Sequence, residues 1–271
     1  MKNVFKSEIT RCFNNYGFFI AIIFSMILVI WYSLVKIPYA IEMNYSLLNG
    51  NEGFYETSFT NWLFTRNMYT QSQIFYLMFP FLATIPFGTS FFVDRNSGYI
   101  KNVYIRTNKF DYLISKYLSV FISGGISAIF PMLFSFCIVS AFLPSVNPES
   151  SYLFTNVVTA DKWSELFFSN PTIYILIYIV LTFVICGLLA CTALPITFFS
   201  YKSFLPLVFP FFFYLISSLL CELAGFEDYS MRKILETGAA GNMFSIIFII
   251  FIIFLITFVP YILLGMREDT L

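Results

Sequence analysis

Histidine is absent from the chain, and charged residues of all kinds make up only 11% of it. The first absence removes the commonest metal ligand and general base. The remaining Cys, Asp and Glu show no spacing that would enclose a metal. The second absence removes soluble surface, because a water-exposed domain carries roughly a quarter charged residues. There is no G-x-x-x-x-G-K-S/T phosphate loop, so the chain binds no nucleotide by that route. A membrane-embedded enzyme would need catalytic side chains converging at one depth. The apolar runs offer neither a Ser-Lys nor an Asp-Asp pair. The five cysteines are Cys12, in the basic leading segment, and Cys137, Cys186, Cys191 and Cys221, in or at the ends of apolar runs. They form no extracellular disulfide framework and read as small core hydrophobes.

What the chain has in excess is apolar surface, with 59% hydrophobic residues, 37 Phe and 18 Tyr among 271 positions. Six runs suffice to cross a hydrocarbon core of about 30 Å, which takes roughly 20 helical residues: 18–35, 74–93, 117–143, 172–199, 204–221 and 243–265. None carries a charge in its middle, and none shows the alternation of a closed barrel. The expected fold is therefore an all-α polytopic membrane protein with six spans in a single transmembrane domain. The first run is too long for a signal peptide, and Trp31, Tyr32 and Lys36 replace a small-residue cleavage site, so it reads as a retained span.

Charge asymmetry orients the bundle. If the loops alternate from a cytoplasmic N-terminus, one side holds Lys2, Lys6, Arg11, Arg95, Lys101, Arg106, Lys109, Lys116, Lys202 and Arg267, ten of the fifteen bases. The same side holds only Glu8, Asp94, Asp111, Glu268 and Asp269 of the fifteen acids. Basic residues near span ends resist translocation, which places both termini in the cytoplasm. Ahead of the first span, Phe5, Ile9, Cys12 and Tyr16 recur at helical spacing while Ser7, Arg11 and Asn14 point away. That pattern predicts an amphipathic helix over 3–16 lying in the membrane interface. The outer connection 37–73 is long and polar, with Glu42, Glu52, Glu56 and Trp62. A third outer loop carries a helix-like stretch over 229–236 followed by Gly238 to Gly241.

The loop 94–116 is far longer than the 2–8 residues or so that reconnecting two helices requires. Gly98 breaks the charged exit from span two. Tyr99, Ile100, Val103, Tyr104 and Ile105 then form a short apolar element flanked by Lys101 and Arg106, and Asp111 is placed to cap the next helix. The loop is either a docking surface for a cytoplasmic partner or a basic loop against anionic lipid headgroups.

Here a family resemblance enters. Phe79-Pro80 through Phe91-Phe-Val-Asp-Arg-Asn-Ser-Gly-Tyr-Ile, then Arg106, Tyr112 and Ser115-Lys116, resembles the permease subunits of ABC transporters of the type-2 exporter class. Gly187-Leu-Leu-Ala-Cys-Thr-Ala-Leu-Pro through Lys202, then Leu205-Pro206 and Phe209-Pro210, agrees with that class around spans four and five. Asp94 stands where Glu is frequent, and the first outer loop is enlarged. The resemblance covers essentially the whole chain. It implies a subunit of an ATP-driven exporter in a bacterial plasma membrane, paired with a second permease copy or a homologous permease. A separate ATPase subunit would bind ATP and Mg, leaving no cofactor for this chain and no nucleic-acid role. Asp94, Arg95, Gly98, Tyr99, Lys101, Val103, Tyr104, Ile105, Arg106 and Lys116 would be the ATPase-coupling residues. Val103, Tyr104 and Ile105 would be the apolar anchors; Arg95, Lys101 and Arg106 would steer the contact. The interfacial helix would act as a lever. Without charge inside the spans, the expected cargo is hydrophobic or amphipathic: a lipid, a drug or an antimicrobial peptide. The alternative is a non-transporting immunity or sensor protein that binds a peptide through its outer loops.

Overall fold

The computed structural model describes residues 2–50, 55–62, 70–148, 163–236 and 242–267. Among these the chain is all helical. Its elements are α1 (Lys2–Phe13), α2 (Tyr16–Leu48), α3 (Ser58–Asn61), α4 (Thr70–Thr84), α5 (Ser90–Asn96), α6 (Tyr99–Arg106) and α7 (Lys109–Phe142). They are followed by α8 (Ser164–Ser169), α9 (Pro171–Cys191), α10 (Ala193–Ile196), α11 (Phe204–Leu223), a 3-10 turn (Glu227–Tyr229), α12 (Met231–Leu235) and α13 (Met243–Arg267). Five stretches are long and apolar enough to cross a membrane: Tyr16–Leu48, Lys109–Phe142, Pro171–Ile196, Phe204–Leu223 and Met243–Arg267. The protein is thus built as a multi-pass membrane protein.

The run expected as span two, 74–93, is divided. α4 has 15 residues and reaches only about 22 Å at 1.5 Å per residue. An elbow at 85–89 follows before α5 begins. Pro86 supplies no backbone N–H and disfavours helical geometry at Ile85. The Asn15 side chain occupies the elbow instead, donating to the Pro86 carbonyl at 2.7 Å while its Oδ1 accepts from Gly17 N and caps α2. A Cβ on Gly17 would sit 2.5 Å from the Ile85 carbonyl oxygen, so the start of α2 can approach the elbow only as glycine.

Other boundaries also move. α2 runs on for 33 residues, so much of the expected outer loop is helix. α7 starts at Lys109, eight residues before the apolar run, with Asn108 at its cap position and Asp111 inside the first turn. The helix-like stretch expected over 229–236 is α12; Glu52 and Gly238 to Gly241 lie outside the described residues.

The centre of the bundle is the crossing of α4, α7 and α9. A Cβ on Gly187 would meet the Phe121 carbonyl oxygen at 2.7 Å, and Ser127 on α7 donates to the Leu82 carbonyl of α4 at 2.8 Å. Small residues let backbones approach where dispersion, rather than water exclusion, drives helix association. α11 and α13 lie at the margin, with only 22% and 28% of their apolar windows buried.

Candidate functional site

The basic segments of the sequence converge at one end of the bundle, where α1, the α5–α6 turn and the first turns of α7 meet. Tyr112 and Lys116, four apart on α7, share a face. Glu8 and Arg11 project from α1, and Asp94 from α5. Lys116 Nζ donates to Glu8 Oε2 at 2.8 Å and to Asp94 Oδ2 at 2.6 Å. Arg11 donates to Glu8 Oε1 at 2.8 Å and spans both oxygens of Asp94, at 2.5 and 3.1 Å. The Tyr112 hydroxyl donates to Asp94 Oδ2 at 2.9 Å. Two aromatic rings close the cluster: Phe87 lies 4.2 Å from Lys116 Nζ, and Tyr99 4.4 Å from the Arg11 guanidinium.

Two cations and two carboxylates make the cluster neutral, and it is buried. The side chains of Lys116, Glu8 and Asp94 are 0%, 1% and 2% exposed, against 36% for Arg11. Burial pushes Asp94 toward protonation, but the Arg11 bonds and Lys116 outweigh it and hold the carboxyl below its usual value. Burial likewise works against charge on Arg11, but its bonds to Asp94 and the charge of Glu8 outweigh it and hold the guanidinium above its ordinary value. Beside the cluster, burial pushes the Cys12 thiol up to about 11, making it an inert core group.

The residues expected to couple to an ATPase fall into three sets. Asp94 and Lys116 are internal, committed to the ion cluster. Arg95 is half-buried and donates to the Thr197 carbonyl at 3.0 Å with Phe198 under its guanidinium, tying α5 to the turn after α10. Tyr99, Val103 and Tyr104 are also half-buried, packed against the core, with Tyr104 edge-on to Tyr112 at 5.7 Å. Only Lys101, Ile105 and Arg106 face outward, Ile105 being 83% exposed. Gly98 is the hinge between α5 and α6: its φ of +72° is left-handed, and a Cβ there would meet nothing within 4 Å. Backbone conformation alone therefore demands glycine.

The expected interfacial stripe is corrected in part. α1 turns Glu8 and Cys12 onto the protein, while Phe5 and Ile9 are half-buried and Tyr16 belongs to α2, 84% exposed. Arg11, expected to point away, enters the cluster. The expectation that no charge is buried also fails, because Lys116 lies inside the helix that carries span three. Sequence reasoning gave no site role to Glu8, Phe87 or Tyr112, although Tyr112 stands in the motif that carries the resemblance. One signal was available: Glu8 and Asp94 are acids in basic segments, and each needs a cationic partner.

At the opposite end, the connection after α2 is pinned back onto the bundle. Glu56 pairs with Lys36 at 3.8 Å and accepts from Asn61 Nδ2 at 2.6 Å, while its backbone N–H and carbonyl bond the Asn44 amide. Tyr32 donates to the Asn61 carbonyl at 3.0 Å, and Trp62 is buried edge-on to Phe136. Glu56 is thus spent on internal bonds. No family model matches the chain, and neither a curated protein nor a solved structure matches it.

Proposed function

We propose that the chain is the membrane subunit of an ATP-driven exporter of the ABC type-2 class, powered by a separate ATPase and moving a hydrophobic or amphipathic cargo. In this reading the bundle crosses the membrane six times, the divided α4–α5 path supplying the sixth crossing. Both termini and the ion-cluster end then face the cytoplasm of a bacterial cell, and a second permease completes the pathway. The observation that carries the reading is α6. It is a short amphipathic helix between two crossings, hinged at Gly98, and it turns Lys101, Ile105 and Arg106 outward. An apolar tip ringed by cations suits a groove on an acidic partner, with Ile105 as anchor and the cations setting approach and register. The ion cluster beneath makes α1, α5 and α7 one unit, so force applied to α6 reaches two crossings. Ile105→Asp combined with Lys101→Glu is expected to abolish binding of the partner ATPase, and cargo-stimulated ATP hydrolysis, without changing thermal stability. Wild-type ATPase coupling by that variant would overturn the assignment of α6.

A further inference from the structure

At the end of the bundle opposite the ion cluster, α2 and α7 pack through Ile37, Ala40, Val139 and Leu143 and leave a groove of about 740 Å³ along their seam, within the usual range for small-molecule sites of about 300–1,000 Å³. Its walls are Leu34, Ile37 and Ile41 of α2 and Ile138 and Phe142 of α7. α2 has 33 residues and is about 50 Å long, against a hydrocarbon core of about 30 Å. With Tyr16 at the inner boundary, α2 leaves the hydrocarbon near Lys36, whose ion pair with Glu56 marks a polar belt. The groove therefore straddles the outer boundary, its lower part at lipid depth and its upper part in water.

Three polar features interrupt the apolar walls. Ser33 is 6% exposed, and its Oγ has no hydrogen-bond partner among the described residues. Pro38 lacks an N–H, so the Leu34 carbonyl four residues earlier is deprived of its helical donor. Glu42 is the one charged residue lining the groove, and among the described residues it has no ion-pair partner, Lys36 being engaged by Glu56. Each of the three has the capacity to accept a hydrogen bond, and the outermost is anionic.

We infer that this groove binds a cationic amphiphile, with its apolar body along Leu34, Ile37 and Phe142 and its positive, N–H-bearing group at Glu42. An anionic phospholipid would bring its phosphate toward Glu42 with no cation to offset it and be repelled, and a zwitterionic one would find no cationic side chain in the groove to hold its phosphate. A second copy docked through the groove by twofold symmetry would bring two Glu42 carboxylates into one interface. A cation attached to an apolar chain satisfies the walls and the carboxylate together. The groove's role as a cargo site rests on the exporter reading; the binding itself does not.

The test is photolabelling of the full chain in nanodiscs of zwitterionic lipid, using a dodecylammonium with a terminal diazirine and its uncharged dodecanol counterpart. The ammonium probe is expected to label peptides spanning 30–45 and 138–142. Glu42→Gln should cut that labelling roughly fivefold, the value of a partly exposed ion pair, and leave the dodecanol labelling unchanged. Ammonium labelling spread over α11 and α13 and indifferent to Glu42→Gln would mean bulk lipid fills the groove and would overturn the proposal. So would Tyr45→Cys forming a disulfide between chains that blocks labelling, which would assign the groove to a second copy. Labelling as expected from a chain that couples to no ATPase would sink the exporter reading alone. ATP-driven transport without groove labelling would sink this one alone.

Discussion

Lys116 is fully buried between two carboxylates, so replacing it tests whether the ion cluster holds α1 to the bundle. Lys116→Met keeps the volume and removes the charge, leaving Glu8 and Asp94 to share Arg11 in a site with one net negative charge. Breaking a buried pair by removing one partner costs about 3–5 kcal/mol. The cheapest relief is for α1 to lift away, because Glu8 then regains water. Cys12 on α1 reports that opening, being 0% exposed. Each 1.4 kcal/mol is a factor of ten, so labelling of Cys12 by a maleimide should accelerate by roughly a hundredfold or more in detergent. Cys137 is exposed and serves as the reference for dye reactivity; buried Cys186 reports global unfolding. Adding Glu8→Gln to Lys116→Met restores neutrality with the Arg11–Asp94 pair intact, and should bring the Cys12 rate back to within about tenfold of wild type. If Lys116→Met changes Cys12 labelling less than about threefold, or if the double variant opens faster than the single, the cluster is not what anchors α1.

Asp94 is held below its usual value, so its stabilising contribution is fully present above the unfolded value near about 3.9 and drains away as pH falls through the lower folded one. The thermal midpoint should therefore drop on acidification from pH 5 to pH 3, and Asp94→Asn should flatten that part of the profile while lowering stability at neutral pH. Gly98→Val should cost about 1–2 kcal/mol because of its left-handed φ, and Gly98→Asn clearly less; chemical unfolding in mixed micelles ranks the two. Gly187→Leu would force a side chain against the Phe121 backbone, at a cost of about 1–3 kcal/mol or more. It should lower the thermal midpoint further than Gly50→Leu, where a Cβ would meet nothing within 4 Å and the cost is only that of the left-handed φ of +87°.

Much of this protein is legible in one dimension. Runs such as 204–221 and 243–265 contain nothing that could stand in water, and the observed helices Phe204–Leu223 and Met243–Arg267 follow them within a few residues. Helix in a bilayer is a local necessity, since each backbone group must find its partner within its own segment. Gly98 also announced its hinge, because a left-handed residue is a property of the chain itself.

The break in the expected second span was harder to read. Pro80 lies inside α4 without ending it, whereas Pro86, six residues on, falls in the elbow. The elbow is held in place by Asn15, a residue 71 positions away that bonds the Pro86 carbonyl. In the same way, an amphipathicity argument turns Arg11 to solvent, because it assumes that charge seeks water. Lys116 lies 108 residues from Glu8 in sequence, and only the packing of α1 on α7 supplies the opposite charges that make burial tolerable. The sequence alone determined that this chain is a bundle of membrane helices with one basic end, since hydropathy and charge are sums over residues. Which charges go inside, and which loop residues remain free to meet a partner, the tertiary structure decided, because both depend on neighbours that no local pattern can name.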